Sequence, residues 1–236
     1  MTERRTGARE RVRAETTEDI KRVAREHLAT DGADLSLRAV ARDVGMVSSA
    51  VYRYFPSRDD LLTALVVDAY DELADAADEA ERTAPRRDPH ARWMALTRGI
   101  RAWSLAHPHE YALLYGSPVP GYQAPEDTVG PASRPQLLLA QILRDAAAGR
   151  SSTAAQGDRL GRGLRADMVT AAAFLDVLEL PGALVARGLL AWTQLFGALS
   201  FELFGRFEGG IEDPGALFEF EMRAMSDYLG LRERAH

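Results

Sequence analysis

Ser48, Ser49, Tyr52, Arg53 and Tyr54 crowd hydroxyls, phenols and a guanidinium into one short stretch with little apolar surface between them. Hydroxyls both donate and accept hydrogen bonds, and a guanidinium is a permanent cation with a fork of donors. Polar tips at a helix N-terminus suit phosphates and base edges, because the helix dipole there favours anions. The chemistry that this stretch can do is recognition of a polyanion.

The flanking residues provide the elements that must hold it. Leu37, Val40, Ala41 and Val44 stand at i, i+3, i+4 and i+7, one face of a helix. Ser36 precedes that run as a candidate cap, and Gly45 follows it as the left-handed residue that ends a helix without a Cβ clash. Met46 and Val47 make an apolar corner. Ser48 or Ser49 can cap a second short helix carrying Ala50, Val51, Tyr52, Tyr54 and Phe55, which Pro56 stops. Two short helices about a glycine turn read as a helix-turn-helix, whose second helix can enter the DNA major groove. An ordinary helical hairpin has the same spacing; the polar and aromatic side chains of the second helix favour DNA.

Composition sets the frame. The 236 residues can bury one good core or two modest ones, Leu and Ala dominate, and runs of Val, Ile and Thr are missing, so the predicted fold is all-α. With no Cys there is no disulfide or Cys-based metal site, which suits a reducing cytoplasm. No stretch is expected to approach a membrane span, and the charged N-terminus lacks the apolar segment of a secretion signal. The net charge of −6 divides unevenly. Residues 1–66 hold 12 Lys and Arg against 11 Asp and Glu, a net of +1, and the rest hold 17 against 24, a net of −7. Polyanions respond to the local patch, so a DNA-facing head on an acidic body is consistent with the total.

In chain order, residues 1–15 form an Arg-rich arm with five Arg against two Glu in the first thirteen, expected to be mobile and either a solvated tail or a phosphate tracker. Ile20, Val23, Ala24 and Leu28 make the first helical stripe, capped by Thr16 or Thr17 and ended by Asp31-Gly32; His27 beside it is expected to be a packing residue. Ser57 and Asp60 form an S-x-x-D start for a long helix to about Ala84, able to carry a tilt of the body to the head. The predicted division is an arm (1–15), a DNA-binding head (16–66) and a body (67–236). In the body, Trp93 to Leu105 and His109 to Tyr115 are helical, the Pro- and Gly-rich stretch Gly116–Pro135 cannot be regular helix, and Gln136–Ala148 is helical again. A polar gap (149–163) and a helix (164–179) follow. Residues 184–207 are apolar around most of the helix circumference, and 214–230 carry a second broad stripe from Leu217 to Leu229.

Other constellations carry little. His107 and His109 sit at i, i+2 and share no helix face, so no metal site is expected. Gly161-Arg-Gly-Leu-Arg-Ala166 fits a loose dinucleotide pattern but follows no strand. No nucleophile elbow or P-loop is present, so an all-α small-molecule enzyme is the alternative from another class, without convergent titratable groups to support it. No cofactor is implied.

The run LSLRAVARDVGMVSSAVYRYFPSRDDLL, covering about the first quarter of the chain, resembles the DNA-binding head of the tetracycline-repressor (TetR) family of bacterial transcription regulators. Val47 departs from the polar residue usual at the start of the recognition helix, and Arg58 replaces the usual Lys. The resemblance implies a helix-turn-helix head joined by a long helix to a larger helical-bundle body. Ser48, Ser49, Ala50 and Tyr52 would face base edges, Arg38, Tyr54 and Arg58 would hold phosphates, and Ser36 and Arg53 complete the DNA-binding set. Residues 93–122 and 192–206 also resemble the body of a subgroup named for its Trp-His-Gly motif; Trp192 and Gly197 match it, and Phe196 stands where His is usual.

The implied partners are double-stranded DNA with a palindromic operator, a small-molecule effector, a second copy of the chain and no membrane. Helices 184–207 and 214–230 can form a four-helix bundle across a two-fold axis or fill one crowded monomer core; a palindrome calls for the former. Trp93, Trp103, Tyr111, Tyr115, Trp192 and Phe196 can line an effector pocket or fill a core, and the resemblance favours the pocket. The resulting expectation is a cytoplasmic homodimeric repressor released by an effector; an activator or ligand-independent regulator would share the same head.

Overall fold

The computed structural model describes residues 2–31, 35–149 and 158–231, and all regular structure among them is helical. The elements are α1 (Thr2–Asp31), α2 (Leu37–Val44), α3 (Ser48–Val51), α4 (Arg58–Arg82), α5 (Pro89–Ala106), α6 (Pro108–Tyr115), a 3-10 turn (Glu126–Thr128), α7 (Val129–Ala148), α8 (Arg162–Phe174), α9 (Gly182–Leu203) and α10 (Pro214–Leu229). The chain divides into two compact units. The first runs to Tyr70 and adds His107–Val129; the second takes Asp71–Ala106 and the chain from Gly130. The unit that carries the helix-turn-helix is therefore larger than residues 16–66, because a later segment packs into it.

In the first unit Ile20, Val23, Ala24 and Leu28 of α1 meet Leu37, Val40 and Ala41 of α2, Val51 and Phe55 around α3, and Leu61, Leu62 and Leu65 of α4. Val119 joins this core from far along the chain, with Leu113 and Tyr122 packed against it. Tyr122 also hydrogen-bonds Thr63 through its phenol at 3.1 Å. Residues 1–15 are not a separate arm: α1 is continuous from Thr2. Thr16 and Thr17 do not cap it, since their hydroxyls donate back to the Val12 and Arg13 carbonyls at 2.8 and 2.9 Å, a bond that lets threonine sit inside a helix. His27 is more than packing. Its Nε2 lies 2.8 Å from Asp43 Oδ2 and ties α1 to α2. The Gly32 stop and most of the 149–163 gap fall outside the described residues.

In the second unit Trp93 is fully buried and its indole N–H donates to the Met222 carbonyl at 2.8 Å, which joins α5 to α10. Arg98 grips Glu219 and Arg101 grips Glu202, each through two donors, so α5 is pinned to both last helices. Asp213 caps α10 by accepting from the Ala216 N–H at 2.9 Å. Helix α7 begins at Val129, so the Gly116–Pro135 stretch is partly helical after all. Pro131 lies in the first turn, where an N–H has no intrahelical partner, and only Pro135 removes a bond. Helix α9 has 22 residues and an 18-residue window of mean hydropathy 1.3, so it is long and apolar enough to cross a membrane, which corrects the expectation above. Half of that window is buried against the chain's own helices, as in the core of a bundle.

Candidate nucleic-acid interface

The turn between α2 and α3 is set by local chemistry. Gly45 has φ 79°, and the Gly45 and Met46 N–H groups bond back to the last turn of α2, Met46 to the Ala41 carbonyl at 2.8 Å. Ser36 occupies the cap position of α2 but its side chain makes no capping bond. Nor do the serines cap α3: Val47, extended at φ −68° and ψ 140°, holds that position, and Ser48 is the first helical residue. Their hydroxyls are thus not committed to the helix end. Regular helix stops at Val51, earlier than expected, and turn bonds carry the chain to Phe55.

Val51 and Phe55 point into the head core, and burial of each stabilises it by about 1.5–3 kcal/mol. The residues between and before them are left outside. Ser36, Arg38, Ser48, Ser49, Tyr52 and Arg53 are exposed, Ala50, Tyr54 and Arg58 half-buried. No Asp or Glu occurs between Asp43 and Asp59, so this surface is cationic and rich in donors. Asp43 itself is engaged: the Arg42 guanidinium, and after it His27, holds its carboxyl below the usual carboxylate range. Arg58 donates from Nε to the Leu35 carbonyl at 3.1 Å, which draws the start of α4 to the entry of α2. Ser57 and Asp60 form the expected reciprocal cap, with the Asp60 N–H donating to Ser57 Oγ at 3.1 Å and that hydroxyl donating to Asp60 Oδ2 at 2.7 Å.

Of the residues at this surface, Arg13 has no counterpart among the sequence expectations, and Val47 belongs to the expected apolar corner. Val47 is 72 % exposed at its tip. Arg13 of α1 donates to the Arg53 carbonyl at 3.2 Å and lies 5.1 Å from the centre of the Tyr54 ring. No short-range pattern links residues forty positions apart.

The six aromatic residues expected to line one pocket come from both units. Tyr111 and Tyr115 belong to the first unit, where their rings lie 5.1 Å apart and burial pushes the Tyr115 phenol up. The other four belong to the second. Trp93 and Trp103 are buried in its packing, and Trp192 and Phe196 are half-buried with ring centres 4.7 Å apart. Trp192 alone of the six lines the apolar cleft between α7 and α9, with Leu139, Leu143, Val177 and Val185. Arg101 and Glu202 pair with each other. Among the described residues no group of three or more His, Cys, Asp or Glu could hold a metal.

The chain is similar to known proteins over most of its length. Residues 20–65 match the family described as bacterial regulatory proteins, tetR family, and residues 93–225 match that described as tetracyclin repressor-like, C-terminal domain. The HTH-type transcriptional regulators Mb1846 of Mycobacterium bovis and Rv1816 of Mycobacterium tuberculosis are each 39 % identical over 229 residues, 94 % of this chain and 94 % of theirs. The crystal structure of the regulatory protein SCO4313 superposes with a TM-score of 0.76 at 35 % identity, covering 92 % of this chain and 97 % of that one. A Rhodococcus sp. RHA1 protein of unknown function, 23 % identical with a TM-score of 0.65 over 91 % of this chain and 93 % of its own, shares the fold. The chain belongs to the TetR family, whose members are DNA-binding transcriptional regulators rather than enzymes.

Proposed function

We propose that two copies of the chain repress transcription by reading a palindromic operator, and that a small molecule bound in the body releases them. Ser48, Ser49, Ala50 and Tyr52 meet base edges in the major groove; Arg38, Tyr54 and Arg58 hold phosphates, with Ser36 and Arg53 at the margins. The observation that carries this reading is the exposure of the Ser48, Ser49, Tyr52 and Arg53 side chains on a turn anchored beneath by Val51 and Phe55. Phosphate contacts supply most affinity and fix register, and base contacts choose the sequence. Such a regulator acts where the bacterial chromosome lies, in the cytoplasm. Selection of bound fragments from genomic DNA tests the reading: an inverted repeat supports it, and recovery of unrelated sequences refutes it. A reporter placed behind the recovered site then distinguishes repression from activation.

A second copy is supported by the outer face of the last two helices. Leu190 and Phe201 of α9, Phe204 just after it and Phe220 of α10 are 46, 53, 42 and 69 % exposed in the single chain. Gly197 lies among them, and a Cβ there would meet nothing within 4 Å of the chain's own atoms. Glycine inside a helix costs about 1 kcal/mol relative to alanine. Nothing in its own subunit requires it, whereas a partner helix crossing close to α9 would.

The effector site is placed at the α7–α9 cleft beside Trp192, whose walls are apolar. Its volume is ≈ 30 Å³, against roughly 300–1,000 Å³ for a small-molecule pocket, so the occupant must favour a more open body. Release follows only if the ligand binds that opened state more tightly than the DNA-bound one.

A further inference from the structure

We infer that α1, through Arg9 and Arg13, forms a seat for a DNA backbone phosphate beside the base-reading turn. The inference rests on the interface proposed above. Between α1 and the end of the α3 turn lies a cleft of ≈ 430 Å³ lined by Arg9, Val12, Arg13, Arg53 and Tyr54. Three of its five lining residues are arginines and none is acidic. Arg9 and Arg13 form no ion pair among the described residues. The arginines that join helices in the second unit do otherwise: Arg92, Arg98, Arg101, Arg134 and Arg144 each face a carboxylate. Guanidinium groups gathered in an open cleft without a counter-charge repel one another unless an anion enters.

The site is also held in shape. The Arg13 bond to the Arg53 carbonyl and its stacking on Tyr54 fix α1 against the end of the recognition turn. A guanidinium has five N–H donors, so this bond leaves Arg13 able to meet a phosphate oxygen as well. Arg9 stands one helical turn before Arg13, about 6 Å along the axis, on the same face. Arg53 directly follows Tyr52, so a phosphate held here flanks the bases that Ser49 and Tyr52 are proposed to read. The seat adds affinity and register to each half-site and carries no sequence information of its own.

The test is a salt titration by fluorescence anisotropy, with the full chain, the fragment recovered by genomic selection and a scrambled duplex of equal length. Arg9→Ala is expected to weaken both duplexes by the same factor and to flatten the slope of log K against log salt by about 0.9. Arg9→Glu weakens both further, and Arg9→Ala with Arg13→Ala flattens the slope by about 1.8. Among the described residues Arg9 has no ion pair or side-chain hydrogen bond, so its variants are expected to keep the fold even if Arg13→Ala loosens α1; circular dichroism and thermal melts verify this. An unchanged slope in both Arg9 variants overturns the seat, as does a loss confined to the selected sequence. Tyr52→Ala serves as the separate control, expected to lower the selected-to-scrambled ratio at a constant slope. Failure of the wild-type chain to bind either duplex at low salt overturns the underlying interface together with the seat.

Discussion

His27 on α1 and Asp43 on α2 meet at 2.8 Å, Nε2 to Oδ2, and Arg42 holds the other carboxylate oxygen at 3.0 Å. The first helix of the head is thereby locked to the helix that presents the recognition turn. Asp43 is pulled below its ordinary value by Arg42 first and His27 second. A depressed folded-state pKa stabilises the fold above the unfolded value and loses that contribution as pH falls through the folded one. Thermal melts of the wild type should therefore lose stability as pH drops below about 4, and Asp43→Asn should show a shallower acid slope over that window. Equal slopes would refute the lock.

Gly45 is the pivot of the motif. At φ 79° any other residue is strained, yet a Cβ there would meet nothing within 4 Å. The cost of Gly45→Ala is therefore backbone strain alone, about 1–2 kcal/mol, readable as a lowered midpoint in urea at an unchanged m-value. A larger loss would mean that the turn is rebuilt.

Tyr52→Ala and Ser49→Ala remove exposed groups and should leave the melting temperature almost unchanged. Each should lower discrimination between the selected operator and a base-substituted duplex by about 1–3 kcal/mol. Undiminished discrimination in both variants would remove the recognition role from α3.

Phe201→Asp and Phe220→Asp place charges on the exposed faces of α9 and α10. Sedimentation should show monomers for either variant at concentrations where the wild type is dimeric. Gly197→Leu should have the same effect through bulk, since its own chain leaves the space open. A dimer that survives all three changes lies elsewhere.

Glu81 is buried with Arg92, which also donates to Asp145 at 2.6 Å. Glu81→Gln leaves a buried guanidinium short of charge, and the loss should be about 3–5 kcal/mol of stability in the second unit. A loss below 1 kcal/mol would show that Asp145 alone balances Arg92.

Local chemistry was readable without coordinates. The Gly45 turn and the Ser57–Asp60 cap each depend on residues within a few positions, and both form as expected. Readings failed where a residue has two legal local uses. Thr16 and Thr17 could start a helix or ride inside one, Ser48 could cap or follow the cap, and Pro131 could break α7 or open it. Local propensity is nearly balanced in such cases, so long-range packing chooses.

The chain's residues by themselves determined an all-α protein with a helix-turn-helix near its start, because helical periodicity and turn residues are short-range information. Tertiary structure alone decided that Val119 completes the head core, that Arg13 meets Arg53 and Tyr54, and that the six aromatic residues divide between two units. These pairings join residues tens of positions apart, and their energy comes from surface removed from water and from partners found in space, neither of which leaves a periodic mark on a single strand of sequence.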